Sequence, residues 1–314
     1  MNSKKRELTG IAILLLASLI WGAAFTAQSI GAEYVPPFTF LASRSWIGTA
    51  VLLPVLIWQS RKQRKNAAAQ PSGSGISGKE MLTAGALCGF FLFAASAAQQ
   101  IGIAYTTTAK SGFLTAMYVV IVPVIYCIFR RKSSLKIWIS VLLAVTGLYL
   151  LCMTQSLNLG YGDLITLLCA LLFSFQIICV SRYVGKIGAV RLTVCQFFFE
   201  AVFSTVIALL SEHPTKEGMI SAAGAILYAG VMSSGAGYTL QTIGQARVNP
   251  AAASIAMAME SVFSALSGWV ILGQALSGRE ILGCAVMLSA IILAELPAIP
   301  GRRTALHDGE MIRQ

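Results

Sequence analysis

From Leu8 to Ala32 the chain carries no charged side chain. A run of that length is about what a helix needs to cross the hydrocarbon core of a bilayer, and it is the first of a series. The apolar runs are continuous rather than alternating, which points to helices and not to the strands of a barrel. They delimit ten spans, at roughly 10–30, 37–58, 81–101, 108–129, 135–153, 162–181, 190–210, 219–240, 250–272 and 279–296. With 56% hydrophobic and only 11% charged residues, an ordinary soluble domain is excluded, because about a quarter of its residues would be charged. Lys4-Lys5-Arg6 before the first run mimics a signal peptide, but the run is span-length and reads as a retained helix.

Where the cations fall tests the count. The net charge is +11, yet the basic residues sit beside apolar segments, as topology signals do, and not in a nucleic-acid-binding surface. With the N-terminus inside, the outer side holds only Lys110, Lys216 and Arg279, and Arg44 lies within a span; all other lysines and arginines are on the inner side. That bias predicts ten spans in the cell's inner membrane with both termini cytoplasmic. The seven cysteines lie inside apolar segments with no C-x-x-C pair, so they read as small packing residues and not as a disulfide framework or zinc site.

The chain also repeats itself. A shift of 142 residues brings Gln99 (of QQIGIAYTTTAKSGFLTAMYVVIV) onto Gln241, Gly102 onto Gly244, Ala109 onto Ala251 and Met117 onto Met259. A shift of 152 brings Gly10 onto Gly162, Leu15 onto Leu167 and Leu19 onto Leu171. We read residues 1–9 as a cytoplasmic N-terminus, 10–153 as a first five-helix repeat, 162–296 as a second, and 297–314 as a cytoplasmic tail. Residues 59–79, basic and then Gln/Pro/Ser/Gly-rich, read as a flexible cytoplasmic loop. Five is odd, so the second repeat crosses the membrane upside down. The expected fold is all-α and integral to the membrane, with ten transmembrane helices as two inverted five-helix repeats, a device of secondary transporters.

Local signals agree with this. Asn249-Pro250 has the form of a helix start, N-cap and first helical residue. Small residues from Ala251 to Ala258 then allow close helix approach, and Ser277-x-x-Glu280 is a capping box. Gly85-x-x-x-Gly89 is a close-packing motif, with dimerisation as its alternative use.

Ser18-Leu-Ile-Trp21-Gly22-Ala-Ala-Phe25 resembles the aromatic–glycine signature of the drug/metabolite transporter superfamily, EamA type. Arg44 matches that family's arginine in the second span, Pro123 its proline in the fourth, and Glu260 the glutamate of its Glu-Pro-Val pattern in the ninth. The resemblance spans nearly the whole chain. It implies export of amino acids or similar metabolites, in some members by proton exchange, through a cavity lined by the first, third, fourth, sixth, eighth and ninth spans. Two positions depart from the pattern. Ser261 replaces the proline that would distort the ninth helix, and Gly273-Gln274 stands where the family often has Gly-Glu.

Three ionisable groups, Arg44, Glu200 and Glu260, lie well inside spans and should face the bundle interior or water. Glu260 is either a protonatable, amine-binding carboxylate or a packing one; Glu200 has no role in the family pattern. Arg44 either attracts a carboxylate or pairs with Glu200 or Glu33. Trp21, Gln99, Tyr118 and Gln241 are assigned with Glu260 to a substrate cavity, which needs apolar walls and a few polar tips. Trp46 and Tyr105 are assigned to packing, and Lys110 to snorkelling at the outer face.

Enzyme chemistry lacks its parts. The only histidines, His213 and His307, lie in a loop and the tail, and no phosphate-cradling loop occurs, so neither cofactor nor metal is expected. The expected partners are the bilayer, a small-molecule substrate and a coupling proton, with no nucleic acid, in a monomer or a homodimer joined through the fifth and tenth spans. The alternatives are an uncoupled facilitator of the same substrates and a non-transporting scaffold or sensor.

Overall fold

A computed structural model describes residues 3–67, 77–105, 108–130, 135–152, 160–272 and 277–295, and among them every regular element is helical. In order these are α1 (Ser3–Tyr34), α2 (Pro37–Ala67), α3 (Gly78–Gly102), α4 (Thr108–Thr115), α5 (Tyr118–Arg130), α6 (Leu135–Cys152), α7 (Tyr161–Ile187) and α8 (Ala189–Ser211). The short α9 (Lys216–Ser221) and α10 (Ala223–Tyr228) lead into a π-helix, Ala229–Gly237, and then α11 (Tyr238–Gln245). Finally come α12 (Pro250–Met257), α13 (Glu260–Leu272) and α14 (Gly278–Glu295).

Among the described residues six helical stretches are long and apolar enough to cross a membrane: Lys5–Tyr34, Pro37–Arg61, Gly78–Gly102, Ser111–Ile128, Tyr161–Ile187 and Ala189–Ser211. Leu135–Leu151 and Pro250–Leu266 are shorter apolar helices. The loop expected at 59–79 is partly helix: α2 runs on to Ala67, because the Arg/Lys/Gln-rich stretch after Trp58 has good intrinsic helix formers. Residues 68–76, the tail 297–314, Gly273-Gln274 and the Lys110 side chain lie outside the described residues.

Helix α3 packs along α7 and α8, α2 along α8 and the π-helix, α1 along α11 and α13, and α6 along α14. The approach is close where glycine removes the side chain. A Cβ on Gly85 would lie 2.6 Å from Cys195 Cβ, and one on Gly89 2.6 Å from Phe199 Cβ. The Gly85/Gly89 motif is therefore spent inside the chain against α8, which overturns its use as a dimer face. At one end of the bundle the Glu212 carboxylate accepts from the Phe38 and Thr39 amides at 2.9 and 2.7 Å, satisfying orphan donors at the start of α2.

Candidate functional site

Two apolar helical stretches are interrupted at matching places. The backbone leaves α-helical bonding at Ala116–Met117, between α4 and α5, and again at Ala258–Met259, between α12 and α13. Every boundary of the second pair lies 142 residues after its counterpart: Thr108 and Pro250, Thr115 and Met257, Tyr118 and Glu260, Arg130 and Leu272. Ser261 in place of proline left the distortion of the ninth helix open. The helix breaks all the same, within the turn that a proline at 261 would disrupt, so proline is not the cause here. The Ser18 hydroxyl of α1 lies 2.9 Å from its own Leu14 carbonyl and 3.2 and 3.1 Å from the Ala256 and Met257 carbonyls, so one proton is shared among three acceptors where the helix ends.

The breaks bring two half-helix starts together. Tyr118 opens α5, Glu260 opens α13, and Tyr118 Oη donates to Glu260 Oε1 at 2.9 Å. Both are buried, with Glu260 6% exposed. A carboxylate in the first turn of a helix also lies at the favourable end of its dipole.

This pair forms one wall of a cavity with about 480 Å³ of space between atoms, its open mouth included. Trp21, Phe25 and Gln28 of α1, Gln99 of α3, Thr115 of α4, Phe173 and Ile177 of α7, Ser233 of the π-helix, Tyr238 and Gln241 of α11, and Met257 of α12 complete it, with Arg44 of α2. None of these comes from α6 or α14. The Trp21 and Tyr238 rings meet at 4.8 Å. A Cβ on Gly237 would sit 2.7 Å from the Trp21 Nε1, so the glycine of the π-helix is what admits the indole.

Behind the cavity, Arg44 Nη2 lies 3.4 Å from Glu200 Oε1 and donates to Ser96 Oγ at 3.1 Å, with both charged side chains at most 2% exposed. Of the two partners open for Arg44, Glu200 is the one it takes. A pair of opposite charges is the arrangement that burial in a bundle interior demands.

All five residues assigned to a cavity, Trp21, Gln99, Tyr118, Gln241 and Glu260, line this one, and Arg44 joins them while Glu200 stands behind. Trp46 is 42% exposed and donates to Thr205, Tyr105 is 66% exposed with its ring against Tyr161, and neither lines the cavity. Gln196 was missed, because nothing on its own helix marks it; only its bond to Gln176 does. The π-helix was missed too, although the small-residue run Ser233-Ser-Gly-Ala-Gly237 was there to see.

Helices of this kind around a buried polar pocket define a multi-pass membrane protein with an internal cavity. The model of the EamA-like transporter family matches the chain twice, over residues 8–153 and 160–296, and the chain belongs to that family. It is 27% identical over 285 residues to an uncharacterized transporter of Archaeoglobus fulgidus, covering 90% of this chain and 84% of that one. It is 25% identical to the uncharacterized transporter YwfM of Bacillus subtilis, over 95% of this chain and 97% of the relative. A solved crystal structure matches with a TM-score of 0.71 at 19% identity, over 92% of this chain and 99% of that one, a likeness of fold.

Proposed function

We propose that the chain is a ten-helix secondary transporter of the inner membrane, built as two inverted five-helix repeats, that exports amino acids or related amphipathic compounds by alternating access. In this reading α4 with α5, α12 with α13, and Lys216–Gln245 each make one crossing. Both termini are cytoplasmic, and the proton is the coupling ion with Glu260 as its carrier.

The observation that carries the reading is the buried Tyr118–Glu260 pair, set where two interrupted helices meet at a cavity. Broken helices at a mid-membrane site are how inverted-repeat transporters bind substrate and ion. Matched contacts support it as well: α3 with α7 and α11 with α1 correspond in the two repeats, and α2 with α8 and α6 with α14 join equivalent helices. The carbonyls and amides freed at the breaks face protein and cavity, where irregular backbone is tolerated.

The test is substrate flux in proteoliposomes under imposed proton gradients, for the native protein and for Glu260→Gln. We expect the native flux to follow the gradient and the variant's to ignore it. Equal dependence in both removes Glu260 as the carrier, and native flux indifferent to the gradient favours the uncoupled facilitator.

A further inference from the structure

Two glutamines stand behind the cavity wall and take no part in the pairs described above. Gln176 of α7 and Gln196 of α8 are fully buried. Gln241 Nε2 donates to Gln176 Oε1 at 3.3 Å, and Gln176 Nε2 donates to Gln196 Oε1 at 3.1 Å. Of the three, Gln241 is the one that lines the cavity. An amide has one donor end and one acceptor end, so a ladder of this polarity turns each linking N–H into the protein. The Gln241 Oε1 is left over, buried and without a partner.

The far end of the ladder supplies a reason for its polarity. Gln196 Nε2 also has no partner, and Glu200 lies one turn along the same face of α8 with its Oε2 unpartnered. Side-chain amide dipoles orient in the field around them, and a carboxylate draws the N–H end toward itself. The Arg44 guanidinium, 3.4 Å from the other carboxylate oxygen, offsets part of that field, so the carboxylate acts on the Gln196 end of the ladder alone.

We infer that the Gln196–Gln176–Gln241 ladder is a specificity device: it fixes the Gln241 Oε1 as a hydrogen-bond acceptor in the cavity wall, so that the site selects ligands with an N–H donor, an ammonium above all. Gln241 touches the ligand, and Gln176 and Gln196 are positioning residues. A free glutamine could turn its N–H to a ligand as readily as its oxygen; here turning breaks the bond to Gln176. That oxygen is already unsatisfied in the empty protein, so a ligand that donates to it gains a hydrogen bond, about tenfold or more in affinity, and one without a donor gains nothing. Glu260 on the same cavity selects charge, whereas the ladder selects the N–H itself. The inference rests on the cavity being the transport site, but it concerns the binding step alone.

The experiment measures equilibrium binding to the purified full-length protein in detergent. The probes are phenethylammonium and phenethyltrimethylammonium, which share ring and charge but differ in N–H groups. We expect the native protein to prefer the first by about tenfold or more. Gln241→Met should collapse that ratio, Gln176→Met should lower it although its side chain does not touch the ligand, and Gln241→Glu, which keeps an acceptor, should preserve it. Gln196→Met repeats the positioning test if Gln176→Met does not fold. A purely structural role would weaken both probes together and leave the ratio unchanged.

Failure of native protein to bind phenethylammonium, equal affinity for the two probes, or an unchanged ratio in the methionine variants overturns the inference. Flux of the same probes in proteoliposomes separates it from the transport reading. Selective binding without flux removes transport and leaves the ladder standing.

Discussion

Tyr118 Oη donates to Glu260 Oε1 across 2.9 Å, and the two residues lie 142 positions apart in the chain. The same offset relates Gln99 to Gln241 and Met117 to Met259. The hydrogen bond therefore joins corresponding positions of the duplicated segment, as an axis relating the two copies and passing between them would produce. The backbone break is kept in both copies, while the side chain that follows it differs. One copy supplies a carboxylate and the other the hydroxyl that holds it.

Removing that hydroxyl separates geometry from folding. Tyr118→Phe keeps the ring and leaves the carboxylate without its donor. We expect substrate flux to fall about tenfold while the protein stays folded and its melting temperature in detergent drops by only a few degrees, because a hydrogen bond to a charged acceptor contributes about 1.5–3 kcal/mol. Combined with Glu260→Gln it should add little further loss. Fully additive losses in the double variant would show that the two side chains act independently.

The Arg44–Glu200 pair should show the asymmetry of buried charges. Removing one partner leaves the other uncompensated, so Glu200→Ala or Arg44→Ala should each destabilise by about 3–5 kcal/mol. Replacing both together by Met and Leu of similar volume should restore most of that loss. Thermal unfolding in detergent reads the difference. A double variant as unstable as either single one would refute the pairing as the reason these charges are tolerated.

Ser18 makes a smaller and more local claim. It is fully buried, and its hydroxyl reaches the Ala256 and Met257 carbonyls where α12 ends. Ser18→Ala should cost about 1 kcal/mol of stability, since one shared proton is lost while the Ala256 carbonyl keeps the Met259 amide. Unchanged unfolding would mean that the break satisfies itself.

How much of this was legible beforehand follows from the kind of signal each feature leaves. Helices and spans are written in uncharged runs such as Leu8–Ala32, and the N-cap at Asn249 is there in type and order, its side chain accepting from the Ala252 amide at 2.9 Å. The capping box at Ser277 and Glu280 forms as spelled, with the Ser277 amide 2.7 Å from the Glu280 carboxylate. The repeat offset even matches the Tyr118–Glu260 contact, whose two residues are 142 positions apart. The breaks left no such trace: Ala116–Met117 and Ala258–Met259 contain neither glycine nor proline, and the hydroxyl beside the second comes from α1. The amide ladder joins three helices, and no single helix's pattern can announce a bond between side chains that meet only in the fold.

The two ends of the bundle offer the sharpest test of alternating access. Gly10 of α1 and Gly162 of α7 correspond at the 152 offset, and Gly244 of α11 and Gly102 of α3 at the 142 offset. Each glycine of the first pair lies against its partner from the second. A Cβ on Gly10 would fall 2.8 Å from Arg247 Cβ and 3.2 Å from the Gly244 carbonyl. One on Gly162 would fall 2.7 Å from Tyr105 Cβ and 3.0 Å from the Gly102 carbonyl. Both clasps are shut in this structure, and in the proposed inverted topology they lie on opposite faces of the membrane. A valine at either position cannot be accommodated without parting the helices there, because the atoms met include the partner's backbone. We therefore expect Gly10→Val to hold the cytoplasmic face apart and Gly162→Val the outer face. With the native cysteines replaced and a cysteine reporter at Ser233 on the cavity wall, a membrane-impermeant thiol reagent should label the first variant from inside and the second from outside. Labelling of both variants from the same side would end the proposal that the two repeats exchange roles.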